Sequence, residues 1–337
     1  MKKIFFALAA VAALASCSKS DVAYEANEEI GFVPMVTNMT KTMMTGDVFQ
    51  TTEEFNLWAY YKPVDPGTGV DTWLADTSTP QTYIDEKTFV YLSSESKWGG
   101  KDNPYFWPKN GSLVFVGYYP AGIKDQVTHD LASNTMSFYD IPQSRVASTG
   151  YTEDLMYFNM TPSYATSSVA ATFKHALSWI SLVLVKDGAT SDRATITVEK
   201  VEFTDVLPQG DGVVVGANNI SWTAKGAAST VDILDDGNPL ISNNVVLVKN
   251  NTTQQPYEPL FIPQTMTGDL IITYTITSED GSYFREVKTI PLNTMKTDVT
   301  SWDPAKHYTY TITIGTTEIL VDPKVTPWVD VDVPTTI

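Results

Sequence analysis

Residues 269–291 read Asp-Leu-Ile-Ile-Thr-Tyr-Thr-Ile-Thr-Ser-Glu-Asp-Gly-Ser-Tyr-Phe-Arg-Glu-Val-Lys-Thr-Ile-Pro, and their rhythm decides the fold class. Leu270, Ile272, Tyr274 and Ile276 fall on one parity, with threonines and Ile271 on the other. Such alternation places one set of side chains on each face of a strand. Asp280-Gly281 then separates this run from a second one, Tyr283 to Lys288, and Asp-Gly between alternating runs is the strongest short hairpin signal. A two-residue turn of this type asks for positive φ at both central residues.

The same period recurs along the chain. Phe55, Leu57, Ala59 and Tyr61 repeat it, as do Leu113, Phe115, Gly117 and Tyr119, each set implying a strand with one buried face. His307 to Ile314 alternates without a break, and further Asp-Gly pairs at 187–188, 211–212 and 236–237 punctuate the second half. Pro104, Pro108, Pro120, Pro208, Pro263 and Pro291 fall between these runs. No eleven-residue window after Cys17 holds a helical apolar period without breaking on Gly, Pro or a β-branched run. Many short strands with Gly/Pro turns, and no repeat of 20–50 residues, predict an all-β chain of sandwich type.

The first residues are an export signal. Lys2 and Lys3 precede the apolar run Ile4 to Ala15, and Leu14-Ala15-Ser16-Cys17 follows the pattern of a bacterial lipobox. Residues 1–16 are expected to be removed between Ser16 and Cys17, leaving Cys17 acylated. Cys17 is the sole cysteine, so no internal disulfide can form, and lipidation gives the residue a role. Acyl chains contribute about 0.8 kcal/mol per buried methylene, so a multiply acylated Cys17 would hold the body to a membrane. Residues 17–29 are polar and acidic and are read as a tether. The body beyond it is long enough for two domains, expected at 30–168 and 169–337, with the division after Thr161 to Ser168.

Charge narrows the partners. The chain holds 39 acidic against 22 basic residues, net −17, and loses two more lysines with the signal. A body this acidic is repelled by nucleic acid, which excludes nucleic-acid binding. No motif for catalysis, a metal or a cofactor was found, and the expectation is a protein that is not an enzyme. His129, His175 and His307 are too far apart for a metal-binding pair. His175 is expected to be half-buried against backbone, and His307 solvated. The acidic stretch Asp232 to Asn238 lacks the spacing of a calcium loop and is read as a hairpin turn.

Several collinear landmarks resemble the fimbrillins of Bacteroidetes, including the Mfa-like pilins and their accessory subunits. They are Ile30-Gly31-Phe32 with Thr40-Lys41-Thr42, then Phe55-Asn56-Leu57-Trp58-Ala59-Tyr60, then Pro104-Tyr105-Phe106-Trp107-Pro108. Leu113-Val114-Phe115, Tyr118-Tyr119-Pro120, Asp154-Leu155-Met156 and Phe173-Lys174-His175-Ala176-Leu177-Ser178 continue the series, which ends on Ser301-Trp302, Tyr308-Thr309-Tyr310 and Val325-Thr326-Pro327-Trp328. The resemblance implies two transthyretin-like β-sandwich domains in tandem, a lipid anchor in the outer membrane, and assembly with other fimbrial subunits by strand exchange. It also implies that a trypsin-like protease removes the first strand, whose inward face would be Ile30, Phe32 and Val36. Here the sequence departs from the pattern: its first arginine is Arg145, and Lys41 is the sole basic residue between Lys19 and Lys62. Either cleavage falls between Lys41 and Thr42, or the strand stays, as in an anchor or tip subunit.

Val329, Val331 and Val333 alternate with Asp330 and Asp332 near the C-terminus. They suit a donated strand, but more simply the closing strand of the chain's own second domain. The rival to the fimbrial reading is an outer-membrane lipoprotein that binds glycans without polymerising. Trp58, Trp73, Trp98, Trp107, Trp222 and Trp302 would be its stacking platforms, although core packing explains them equally well.

Overall fold

The computed structural model describes residues 28–36, 49–64, 73, 75–143, 154–163, 168–186, 194–234, 238–240, 246–247, 260–295, 299–315 and 319–327. The chain is all-β, as the two-residue rhythm predicts. Among the described residues the named helical segments are a 3-10 segment at Ala121–Gln126 and one turn of α-helix, α1, at Leu292–Met295.

Seven strands close a barrel: β1 (Phe32–Val36), β2 (Glu54–Lys62), β3 (Gln81–Leu92), β4 (Lys97–Gly100), β5 (Ser112–Tyr119), β8 (Met156–Ser163) and β9 (Val169–His175). Around the barrel their order is β1-β4-β3-β2-β5-β8-β9, and β9 returns to β1. Phe55, Leu57, Phe89, Leu113, Phe115, Phe158 and Phe173 fill the inside.

The strands expected to bury one face bury both. Every residue of β5, and nearly all of β2, is enclosed. A four-stranded sheet covers that side of the barrel: β6 (Val127–Asp130), β7 (Thr135–Pro142), β12 (Gln209–Val215) and β13 (Ser221–Lys225), in the order β13-β12-β7-β6. Trp58, Tyr60, Val114, Val116 and Tyr118, on the opposite parity from the barrel core, pack with Val127, Met136, Phe138, Val214 and Ile220 in a second cluster. The oily residues on both parities therefore serve two cores.

The third core lies in a sandwich. One layer is β10 (Ser178–Lys186), β22 (Lys306–Ile314) and β23 (Ile319–Pro327), with short β16 (Val246–Leu247) and β17 (Leu260–Phe261) on β10. The other is β14 (Ser229–Leu234), β11 (Ala194–Val206), β19 (Asp269–Ser278) and β20 (Tyr283–Pro291), with β15 (Asn238–Leu240) also on β11. Ile180, Leu182, Ile312 and Tyr310 of the first layer meet Ile196, Val198, Phe203 and Ile272 of the second. A two-stranded pair, β18 (Gln264–Thr265) with β21 (Ser301–Trp302), completes the described strands. Ala176 and Leu177 carry the chain from β9 in the barrel to β10 in the sandwich. Residue 168, after which the sequence suggests a division, immediately precedes β9.

Two turn expectations change. In the hairpin of β19 and β20, Gly281 takes a positive φ of 83°, and Asp280 does not share it. Gly281 N donates to Ser278 O at 3.0 Å and Ser278 N to Ser282 O at 2.8 Å. This is the three-residue loop in which an ordinary turn is followed by a left-handed glycine. Asp211-Gly212 is no turn at all. It lies inside β12, where a Cβ on Gly212 would stand 2.8 Å from Ile220 Cδ1 and 3.2 Å from the Trp222 ring. The glycine is there for close packing.

Candidate strand-exchange site

β1 is five residues long, and its burial alternates without a break: Phe32, Pro34 and Val36 inward, Val33 and Met35 outward. Ile30, just ahead of it, is fully enclosed. Ile30, Phe32 and Val36, expected to share an inward face, do so.

Backbone pairing of this strand is lopsided. Along one edge β1 runs parallel to β9 with five residues in register, Phe32 opposite Val169 through Val36 opposite Phe173. Along the other it meets β4 at a single pair, Phe32 with Trp98. The chain ahead of β1 is clamped separately: Ile30 N donates to Tyr105 O at 2.7 Å, and Trp107 N to Glu28 O at 2.9 Å. Lys97 Nζ lies 2.7 Å from a Glu29 carboxylate oxygen and equally close to Glu95. Those carboxylates hold the ammonium above the ordinary lysine range, chiefly by accepting its hydrogen bonds.

The side chains bind more firmly than the backbone. Phe32 is surrounded edge-on by Phe89, Phe115 and Phe55, with centroid distances of 5.0, 5.2 and 6.0 Å. Burying one such residue contributes roughly 1.5–3 kcal/mol. Ile30, Phe32 and Val36 together then amount to about 5–9 kcal/mol, comparable to the net stability of a whole domain. A strand held this way will not leave an empty groove, and a replacement must bring its own apolar side chains. Sequence reading missed the groove's other walls, Phe49, Phe89 and Trp98, because no local pattern ties them to β1.

The remaining candidate positions lie outside the described residues: Ser16, Cys17, Lys41, Thr42, Val329, Val331 and Val333. Trp58, Trp73, Trp98, Trp107 and Trp302 are buried and unable to stack on a sugar. Trp222 is half-buried, with Nε1 donating to Ala176 O at 2.7 Å. It borders a cleft of about 570 Å³ between β13 and the β18–β21 pair, together with Asp205, Gln264, Thr265 and Asp303.

The histidines differ from expectation in their partners. His175 is buried, and its Nδ1 is bonded to the Asp154 carboxylate. His307 is half-buried: it stacks on Trp179 at 3.5 Å and 8°, and its Nε2 is 2.8 Å from Ser181 Oγ. Burial lowers its pKa to about 4, helped by Lys324. His129 is likewise lowered to about 4 by burial, with Nδ1 2.6 Å from Tyr60 Oη. Both rings are neutral near pH 7.

A closed all-β barrel beside a β-sandwich is an arrangement shared with proteins of known structure. It is similar to a fimbrial protein from Bacteroides vulgatus (16% identity, 90% of this chain and 100% of that chain, TM-score 0.53). Candidate cell adhesion proteins from Bacteroides ovatus (12%, 91% and 100%, 0.52) and Bacteroides uniformis (16%, 90% and 100%, 0.50) share the fold. Residues 37–328 match the family described as fimbrillin-like, and the chain belongs to that family. Residues 1–18 match the prokaryotic membrane lipoprotein lipid attachment site. No curated protein matches the chain.

Proposed function

We propose that this protein is a structural or adhesive subunit of cell-surface fimbriae, exported as a lipoprotein acylated at Cys17 and delivered to the outer membrane. Its groove between β4 and β9 is the acceptor for a partner's strand, and β1 is the strand that occupies it beforehand. The observation that supports this most is the lopsided seat of β1: three inward side chains sunk in an aromatic core, with one backbone edge paired at a single residue. Removing it would expose an apolar groove and unpaired backbone together, and an incoming strand satisfies both. Lys41 lies a few residues beyond β1, where a cut before Thr42 would free the strand. Val329, Val331 and Val333 have the alternation a donor strand needs.

Intact mass and N-terminal sequencing of the protein from native outer membranes test this reading. A chain beginning at Thr42 marks an assembling pilin, and an acylated Cys17 with β1 retained marks an anchor or tip subunit. A free, unacylated Cys17 on a protein outside the membrane fraction overturns it.

The cleft beside Trp222 favours a second reading, a lipoprotein that binds neutral glycans there. Its test is a glycan array probed with the wild type and Trp222→Ala, and binding insensitive to the substitution rejects the cleft as the site.

A further inference from the structure

β20 is a nine-residue strand, and among the described residues it pairs only with β19. It bears the most exposed of the large apolar residues among those described: Tyr283, Phe284 and Val287 are 76%, 59% and 54% exposed. The loop at 278–282 fixes which backbone groups face outward. Ser278 and Ser282 form a hydrogen-bonded pair, so even-numbered residues of β20 bond to β19. The N–H and C=O groups of Arg285, Val287 and Thr289 then point away from the sheet.

The order of side chains along β20 complements itself about its own midpoint, Val287. If two copies of the strand lie antiparallel with Val287 opposite Val287, each Glu286 faces a Lys288. Each Phe284 then faces an Ile290, and each Arg285 a Thr289. Directly opposed side chains in such a pair lie about 4.5–5.5 Å apart, so opposite charges attract and apolar side chains touch. Phe284 and Ile290 share the parity of Leu270, Ile272 and Tyr274, which face the sandwich core, and Ile290 already packs on that core. The new contacts would extend the same apolar layer.

Lys288 and Glu286 also point to the core face of an edge strand, a placement that blocks casual edge-to-edge pairing. Moving the centre one residue either way sets Glu286 against Glu286 or Lys288 against Lys288. Like charges directly opposed are destabilising, so the two neighbouring registers are disfavoured relative to the one centred on Val287.

We propose that β20 is a self-complementary interface through which two copies of this chain join edge to edge, antiparallel, about a two-fold axis at Val287. Such an interface is isologous and closes at two copies. It lies in the sandwich, away from the barrel groove, and does not depend on what becomes of β1.

Single-cysteine cross-linking on the full-length protein in its native membrane tests the register. In a Val287→Cys variant the new cysteine lies opposite itself, within the 4.4–6.8 Å Cα range of a disulfide, and mild oxidation should give a dimer on a non-reducing gel. Thr289→Cys places the two sulfurs' strands out of step by about 14 Å and should not cross-link. Tyr139→Cys, exposed on another sheet, reports random collision. Adding Glu286→Lys to Val287→Cys should reduce the dimer band several-fold, and adding Lys288→Glu as well should restore it. A Val287→Cys signal no stronger than that of Thr289→Cys or Tyr139→Cys, or one insensitive to charge reversal, overturns the proposal.

Discussion

The ring of Phe32, in the first strand, meets the ring of Phe89 edge-on at 5.0 Å and 77°, and β1 owes its place in the barrel to contacts of this kind. Shortening Phe32 to alanine leaves a void in an aromatic cluster that cannot collapse. The expected cost is about 3–5 kcal/mol, read as a lowered urea midpoint with unchanged slope. Val33→Ala, on the exposed face of the same strand, should stay within about 0.5 kcal/mol of wild type.

Asp154 and His175 form a buried pair beside the joint of β8 and β9. Removing one partner strands a buried polar group, at about 1–3 kcal/mol. Asp154→Ala and His175→Ala should each show such a loss. The double variant should lose less than the sum, and a double-mutant cycle on unfolding free energies measures the difference. Additive losses would mean that the two residues do not stabilise each other.

Acid should weaken the fold through two neutral histidines. His129 and His307 have pKa values near 4 in the folded chain against about 6.5 unfolded, burial being the main cause in each. Below 6.5 the unfolded chain therefore binds protons that the folded chain refuses. Their stabilising contribution is whole above pH 6.5 and is lost as pH falls through about 4. A His129→Gln/His307→Gln variant should show a flatter decline of unfolding free energy over that window than the wild type, whatever its stability at pH 7.

Gly212→Ala should destabilise the sheet that covers the barrel, because a Cβ there meets Ile220 and the Trp222 ring at 2.8–3.2 Å. Overpacking of this kind costs about 1–3 kcal/mol. Gly122→Ala meets nothing within 4 Å and should be nearly silent, and thermal melts of the two variants beside wild type check the contrast.

Local order along the chain was enough to establish that it is β-sheet, to place the β19–β20 hairpin, and to put Ile30, Phe32 and Val36 on one face. Each of these follows from the alternation of side chains across a pleated strand, which needs no partner to be visible. The same local signals misplaced Asp211-Gly212, since a glycine that opens a turn and one that makes room for tryptophan look alike in one dimension. They also could not show that β2 and β5 are covered on both sides, because two of the four covering strands, β12 and β13, lie far away in the chain. Tertiary structure alone decided that β1 runs parallel to β9, that His307 lies on Trp179, and that, among the described residues, β1 meets β4 at a single pair and β20 pairs only with β19. Those are facts about which distant strands become neighbours, and neighbours are chosen by the burial of whole faces, a property no single stretch of sequence possesses.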